Sequence, residues 1–559
     1  MLKSYLDFIC KYLFRFKLML VGILILSILS SAINLLIPYI SSLLFDLGIM
    51  SAEISPIINI SLLLLFLSVV KFFIKYYVQI LHAQLSVKFT TSIKKDMYSH
   101  LLRLPMRYFD NNHKGYLLSR IDEVDALSVL FSSAIFDFFA ALITAVGAFY
   151  YIFDKSWILL LISFVFLPIF YILTRASLKK IHKTSREIYE VNATTKGKLQ
   201  ESIEGIQELK HLNNEERTFK DLTNQVNKIA RKIIEQSKFA AMGTEGVSLL
   251  LNISQITITL TIGILIVRSQ LSIGDYVALT QYVLLLYAPV QLIAAFSMTI
   301  QPGLVALDRV SSILKMDIEE KEIGIKIEEI VSVQFKEVSF KYEGAADYVL
   351  EKIDFTLDKN EILAIQGVNG SGKSTIIKIL LGLYREYDGI LEINGINLKE
   401  VNIQSLRNRV GIVSQNVILF SGTLLENIKM ANPNISNQHL DNLLDIFQDK
   451  MFTDIDPYSM VLNEKANNLS GGQKQKIALL RAFAKDPDIL IFDEATSNLD
   501  IASKAFLEEA IKKIFKNKMC IIISHEENIS RIADRILEIV DGVLIERGYD
   551  AALSAGRDQ

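Results

Sequence analysis

The chain has 559 residues, of which 51% are hydrophobic and 21% charged, with a mean hydropathy of +0.33; at about 150 residues per domain it has room for three or four domain-sized units. A formal net charge of -2 argues against a nucleic-acid binder, which needs a basic field to meet phosphates. Cys10 and Cys520 lie far apart and make neither a disulfide framework nor a zinc site, and nine prolines without low-complexity tracts exclude a disordered or collagen-like chain.

In chain order, Leu2, Leu6, Ile9, Leu13 and Phe16 recur at helical spacing, which predicts an amphipathic interfacial helix over 1–17. Six apolar runs follow, at 18–45, 57–81, 129–153, 157–173, 247–267 and 276–300. A helix needs about 20 apolar residues to cross the hydrocarbon core, so these are read as six spans of a transmembrane domain over 18–315. The first run is too long for a signal peptide and lacks a small-residue cleavage site. Fewer than twenty residues precede it, so no folded processing domain is expected there. Lys and Arg crowd the segment before the first span and the stretches 88–120 and 175–238, whereas 45–56 has none. By the positive-inside rule both termini and both long loops are expected in the cytoplasm. Those loops are rich in helix formers, as if spans continue into the cytoplasm, and LPMRYFDNNHKGYLLSR between two of them predicts a short docking helix punctuated by Pro105 and Gly115.

After a linker at 316–327 the pattern becomes alternating strands and helices to residue 559. The strand ILAIQG runs into GVNGSGKST and an apolar helix, which is G-x-x-x-x-G-K-S in its required context. Gly367, Asn369, Gly370, Ser371 and Gly372 form a loop whose N–H groups turn inward on phosphate oxygens, aided by the helix dipole. Lys373 is expected to reach the β- and γ-phosphates, Ser374 to ligate Mg²⁺, and Thr375 to continue the motif. Downstream, the strand of PDILIFDEATSNLD ends in Asp493, placed to hold magnesium, and Glu494, placed to handle the attacking water. Alone, that acidic pair would be a solvated strand end; behind a phosphate loop it reads as catalytic.

The stretch LSGGQKQKIALLRAFAKDPDILIFDEATSNLD resembles the nucleotide-binding domain of ABC transporters. The resemblance implies that Ser470, Gly471, Gly472 and Gln473 belong to the family's signature sequence. It further implies that Tyr342 stacks on adenine, Gln415 is the Q-loop glutamine and a magnesium contact, Asp500 the D-loop aspartate, and His525 the switch histidine. The P-x-x-Y-F-D…G-x-L-x-S-R pattern at 105–120 and EGIQELKHLNNEER at 204–217 resemble the exporter-type membrane domain. The implied architecture is an α-helical six-span transmembrane domain followed by an α/β P-loop NTPase domain over 328–559, a half-transporter. The family's arrangement implies a homodimer, or a heterodimer with a second half-transporter, in which Ser470–Gly472 of one chain close over the ATP and Mg²⁺ held by the other. Docking turns near 105–115 and 204–215 would sit in grooves beside the Q-loop. Asn498, Asn463 and Ala466 depart from the commoner family pattern.

The function so implied is ATP-driven export of an amphiphilic drug, lipid or small peptide by alternating access. The expected setting is a bacterial plasma membrane, and no nucleic acid is expected as a partner. Import on the same fold is the alternative, and a gated channel a lesser one that Glu494 and His525 argue against. Charges inside spans cost roughly 2.5–3.5 kcal/mol at the bilayer centre, so Lys71, Lys75 and Asp137 stand out. Counting from the outer ends puts Lys71 at about 21 Å depth and Asp137 at about 24 Å. The preferred reading is a structural ion pair, and the alternative is a cavity wall. Asn252, Gln255 and Gln281 are weaker cavity candidates.

Overall fold

The computed structural model describes residues 11–51, 53–112, 114–320, 322–451, 460–463, 466–494, 518–523 and 532–547. The chain divides into two compact units, one of Met1–Leu102 with Gly115–Met316, the other of Arg103–Lys114 with Asp317–Gln559.

In the first unit, α1 (Lys17–Leu43) ends in a π-helical turn, Leu44–Ile49, before α2 (Ile54–Leu101). Between α2 and the third span come α3 (Met106–Asn111, part of the second unit) and α4 (Lys114–Ala126). The unit continues through α5 (Ser133–Lys155), α6 (Trp157–Glu204), α7 (Ile206–His211), α8 (Glu215–Val267) and α9 (Ile273–Leu314). Among the described residues six helices are long and apolar enough to cross a membrane. Helices α2 and α6 have 48 residues and α8 has 53. At about 1.5 Å per residue each is over 70 Å long, more than twice the roughly 30 Å hydrocarbon core. The excess is the helical extension that the loop composition predicts. Leu13 and Phe16 lead into the first span; Leu2, Leu6 and Ile9 of the expected interfacial helix lie outside the described residues.

Small and polar residues hold the bundle together where apolar side chains have no water to escape. A Cβ on Gly243 would come within 2.9 Å of Ser177, so glycine there permits the close approach of α8 to α6. Farther along the same pair, Lys232 meets Glu187 at 2.6 Å and Thr195 Oγ1 donates to Gln225 at 2.8 Å. Buried Tyr287 is bonded to Ser254 Oγ at 2.9 Å and to the Ser163 carbonyl at 3.2 Å, tying α9 to α8 and α6. At the other end of α9, Ser272 and Asp275 form a capping box. The π-turn carries Asp46 to that same helix start, where it accepts from Ser272 Oγ at 2.8 Å and Gly274 N at 2.9 Å. Lys155 closes the cluster on Asp275 at 2.9 Å. A negative group at a helix N-terminus is favoured by its free N–H groups and dipole.

The expected pairing of Lys71 with Asp137 is not formed: among the described residues neither Lys71 nor Lys75 has an ion pair. The ring of Phe136 lies 4.4 Å from that of His82, and Asp137 is within electrostatic reach of His82. That is eleven residues, or about 16 Å of helix, from the level of Lys71. Counting from run ends does not register how α2 packs on α5, where His82 meets Phe136 and so places the level of Asp137 well along α2 from Lys71. Asn252 is exposed, Gln255 and Gln281 half-buried.

In the second unit, β1 (Ser332–Phe340), β2 (Leu350–Asp358), β4 (Asp388–Ile393) and β5 (Ile396–Asn397) form an antiparallel sheet in the order β2-β1-β4-β5. A second sheet runs β12-β11-β3-β10-β9-β6, parallel except at β11–β12. Its strands are β3 (Ile362–Gly367), β6 (Val410–Val413), β9 (Ile489–Asp493), β10 (Met519–Ile523), β11 (Arg535–Val540) and β12 (Val543–Arg547), while the short β7 (Gly422–Thr423) and β8 (Val461–Leu462) pair with each other. Continuous apolar strands such as Leu363–Ile365 and Ile489–Phe492 are buried, as a parallel sheet covered on both faces requires. Helix α10 (Lys373–Leu380) packs in one hydrophobic cluster with both sheets, flanked in sequence by α11 (Ile403–Arg409). A second cluster lies under a helical lobe of α12 (Leu424–Lys429), α13 (Asn437–Met451) and α14 (Gly471–Ala484).

Candidate nucleotide site

Strand β3 aims the chain at a turn that only glycine adopts readily. Gly367, Gly370 and Gly372 have φ of +147°, +85° and +104°. A Cβ on Gly367 would fall 2.7 Å from the Ile539 carbonyl, so the loop is also held close to β11. Gly372 caps α10, and buried Lys373 folds back so that Nζ donates to the carbonyls of Gly367 at 2.8 Å and Val368 at 2.9 Å. Burial pushes this ammonium below the usual lysine range, opposed by the nearby Glu494 and Asp493. Ser371 Oγ is buried with no hydrogen-bond partner, a polar atom that a phosphate oxygen would satisfy. Asn369 and Gly370 are exposed at the loop's rim. The loop therefore fits a polyphosphate by its shape, its lysine and its orphaned hydroxyl.

Asp493 ends β9, and Ser374 Oγ donates to its Oδ1 at 3.3 Å. Burial raises the Asp493 carboxyl, with Glu494 adding to the rise and Ser374 and Lys373 opposing it. These two hard oxygens beside the loop fit a magnesium ion completed by phosphate and water. Among the described residues no group of three or more His, Cys, Asp or Glu could hold a metal unaided. Glu494 has φ +50°, its N–H donates to the Ile523 carbonyl at 2.9 Å, and its Oε2 accepts from Gln415 Nε2 at 2.5 Å. The Q-loop and strand-end carboxylate predicted from sequence are thus brought together. Asp500, His525 and Asn498 lie outside the described residues; β10, which leads to His525, ends beside Asp493.

Ser470, Gly471, Gly472 and Gln473 occupy the start of α14, where Ser470 and Gln473 form a capping box. Ser470 and Gly471 are exposed. Helix α14 packs in the helical lobe, whose sheet neighbour β6 is three strands from β3 in the sheet order. At about 4.8 Å per strand that is roughly 14 Å. One chain thus carries two helix starts with free N–H groups on separate lobes. Before α14, Asn468 Oδ1 accepts from Asn463 N at 3.2 Å and its Nδ2 donates to the Val461 carbonyl at 3.0 Å, and Ala466 is buried at φ +48°.

Tyr342 is half-buried, its hydroxyl 3.1 Å from Thr375 Oγ1 and its ring edge-on to Tyr384. Tyr384 and Lys378 are residues that sequence reasoning missed. Tyr384 donates to Asp110 of α3, Lys378 Nζ lies 3.8 Å from Asp110 and 5.6 Å from the Tyr342 ring, and Arg107 pairs with Glu386 at 2.8 Å. Asn111 adds a 3.2 Å bond to Glu343. A helix lies within the predicted docking stretch 105–115, and its bonded partners among the described residues include groups on α10, just after it and in the Tyr342 loop. The missed signal was the YREY that follows α10, four polar-tipped groups at a helix exit.

The family model described as ABC transporter transmembrane region matches residues 20–290, and that described as ABC transporter matches 350–497. A Bacillus subtilis protein named "Putative multidrug export ATP-binding/permease protein YgaD" is 27% identical over 481 residues, covering 85% of this chain and 83% of its own. An ATP-dependent lipid A-core flippase of Syntrophus aciditrophicus is 26% identical over 556 residues, covering 98% and 91%. A bacterial Atm1-family ABC exporter, solved with ATP bound, superposes with a TM-score of 0.83 at 19% identity, covering 97% and 99%. Fold and site together define a membrane-spanning P-loop ATPase. The chain belongs to the ABC transporter family and has the exporter-type half-transporter fold, one transmembrane region fused to one ATP-binding domain. It binds ATP and couples its hydrolysis to transport.

Proposed function

We propose that the protein is an ATP-driven exporter that works as a dimer, carrying an amphiphilic drug, lipid or small peptide from the cytoplasmic side by alternating access. The observation that carries this reading is the separation of the phosphate loop at Gly367–Thr375 from the exposed signature helix start at Ser470–Gln473. Each is half an anion site, and two chains placed head to tail complete both. Lys373 and the loop N–H groups hold the triphosphate, and Tyr342 stacks on the base. Ser470, Gly471 and Gly472 of the second chain donate to the γ-phosphate. Ser374, Gln415 and Asp493 would hold Mg²⁺, which would supply positive charge to the phosphates. Glu494, kept in place by Gln415, takes a proton from the attacking water, while Asp500 and His525 complete the site across the interface.

ATP favours the closed pair because its γ-phosphate touches both chains, and hydrolysis removes that link. The motion reaches the membrane domain (18–315) from the nucleotide domain (328–559) through α3, held by Asp110, Arg107 and Asn111, and through the 316–327 linker. That linker is strapped by Glu319 N to the Arg103 carbonyl at 2.6 Å and by Arg407 to Glu319 at 2.5 Å. Both termini are cytoplasmic in a bacterial inner membrane, and the partner is an identical chain or a second half-transporter. The names of the relatives support export over import. The test is transport in vesicles with the nucleotide domains outward: external ATP should concentrate a fluorescent amphiphile inside. Depletion of preloaded amphiphile would establish import instead.

A further inference from the structure

Helix α2 is the least covered of the six spans: 6% of its most apolar window is buried, against 22–39% for the others. The helix is not uniformly apolar. At 100° per residue Ser68, Lys71, Lys75, Gln79 and His82 fall within about 80° of one another, a polar stripe about 21 Å long inside a hydrophobic helix. Lys75 and Gln79 are exposed and Lys71 half-buried. Neither ammonium has an ion-pair partner among the described residues, and Asp137 of the third span lies beside His82. His82 itself is 4% exposed, with neither ring nitrogen hydrogen-bonded. Beside the stripe runs an exposed aromatic one, with Phe72 stacked on Tyr76 and in edge contact with Phe73.

Ionisable groups at membrane depth face a partner, a bundle interior or a watery passage rather than lipid. Two lysines one turn apart have Cβ atoms about 5–6 Å from each other, close enough for both long side chains to bring their ammonium groups to one acidic head group. The adjoining rings offer a surface for a hydrocarbon tail. We infer that this face of α2 lines the transport passage and binds an anionic amphiphile, with Lys71 and Lys75 on its acidic head and Phe72, Phe73 and Tyr76 along its chain. The inference rests on the export reading and narrows its substrate class to acidic amphiphiles.

The test uses the full chain in phosphatidylcholine nanodiscs with two diazirine-bearing probes of equal chain length, a dodecyl phosphate and a dodecyl trimethylammonium. The phosphate probe should label residues 66–82 at least fivefold more than the ammonium probe. Excess unlabelled dodecyl phosphate should suppress that labelling, and inorganic phosphate should not. The preference should vanish in the Lys71→Gln/Lys75→Gln variant and persist in Lys71→Arg/Lys75→Arg. Equal labelling of wild-type α2 by both probes would overturn the inference without any variant, as would a preference that survives in the double glutamine chain. Vesicle transport is read separately, so lost charge preference with transport intact sinks only this inference, whereas labelling without ATP-driven accumulation sinks export.

Discussion

Gln415 Nε2 donates to Glu494 Oε2 at 2.5 Å, so a side chain from the loop after β6 holds a carboxylate at the end of β9. Glu494 sits at φ +50° with its N–H bonded to Ile523, which fixes where that carboxylate points. A general base is worth about 10²–10⁴ in rate. Glu494→Gln should therefore lower ATPase turnover by at least 100-fold while ATP binding persists. Gln415→Ala should cost less, about tenfold, because it removes the positioning partner and one magnesium contact while the base remains. Steady-state phosphate release together with fluorescent-ATP binding would check both.

The docking helix α3 offers a graded test. Arg107 and Glu386 are 47% and 78% exposed, and pairs of that kind contribute about 0–1 kcal/mol. Asp110 accepts from the largely buried Tyr384 and neighbours Lys378, so Asp110→Ala leaves a hydroxyl short of its acceptor, at about 1–3 kcal/mol. The expected order of thermal midpoints is wild type, then Arg107→Ala slightly lower, then Asp110→Ala clearly lower. Tyr384→Phe should recover part of the Asp110→Ala loss in a double-mutant cycle.

At the start of α9, Lys155→Met removes the partner of Asp275, which is 8% exposed. Fully buried pairs lose 3–5 kcal/mol on such a change, and the partial exposure of Lys155 reduces this to about 1–2 kcal/mol. Lys155→Met/Asp275→Asn should regain most of the loss in a detergent melting assay, since the uncompensated charge goes too.

Much of this was legible in the sequence because the governing patterns are local. Twenty apolar residues set a span, and G-x-x-x-x-G-K-S after a strand sets a phosphate loop whose Gly367, Gly370 and Gly372 all adopt positive φ. What the sequence hid depends on how helices slide past one another. Lys71 and Asp137 are at similar depth by counting, yet Asp137 sits beside His82, because α2 and α5 pack with His82 against Phe136. Likewise Tyr384 and Asp110 are 274 residues apart, and no periodicity marks them as partners. The link between Ser163, Ser254 and Tyr287 is equally non-local.

Cys520 lies on β10, fully buried, and that burial pushes its thiol well above the ordinary cysteine range. A raised thiol means less thiolate, the reactive form, at every pH below the shifted value. In a Cys10→Ser chain the remaining thiol should therefore stay unmodified by a disulfide reagent from pH 7 to 9. It should react promptly only after denaturation. Rapid native reaction at pH 8 would show that β10 is not in the sheet centre.

The account turns on whether ATP is cleaved in a site shared by two chains. The most direct measurement is ATPase turnover in nanodiscs holding one chain or two, with ATP binding measured in both. Single-chain discs should bind ATP yet hydrolyse it at less than about a hundredth of the two-chain rate, and equal turnover per chain in both preparations would contradict the shared site.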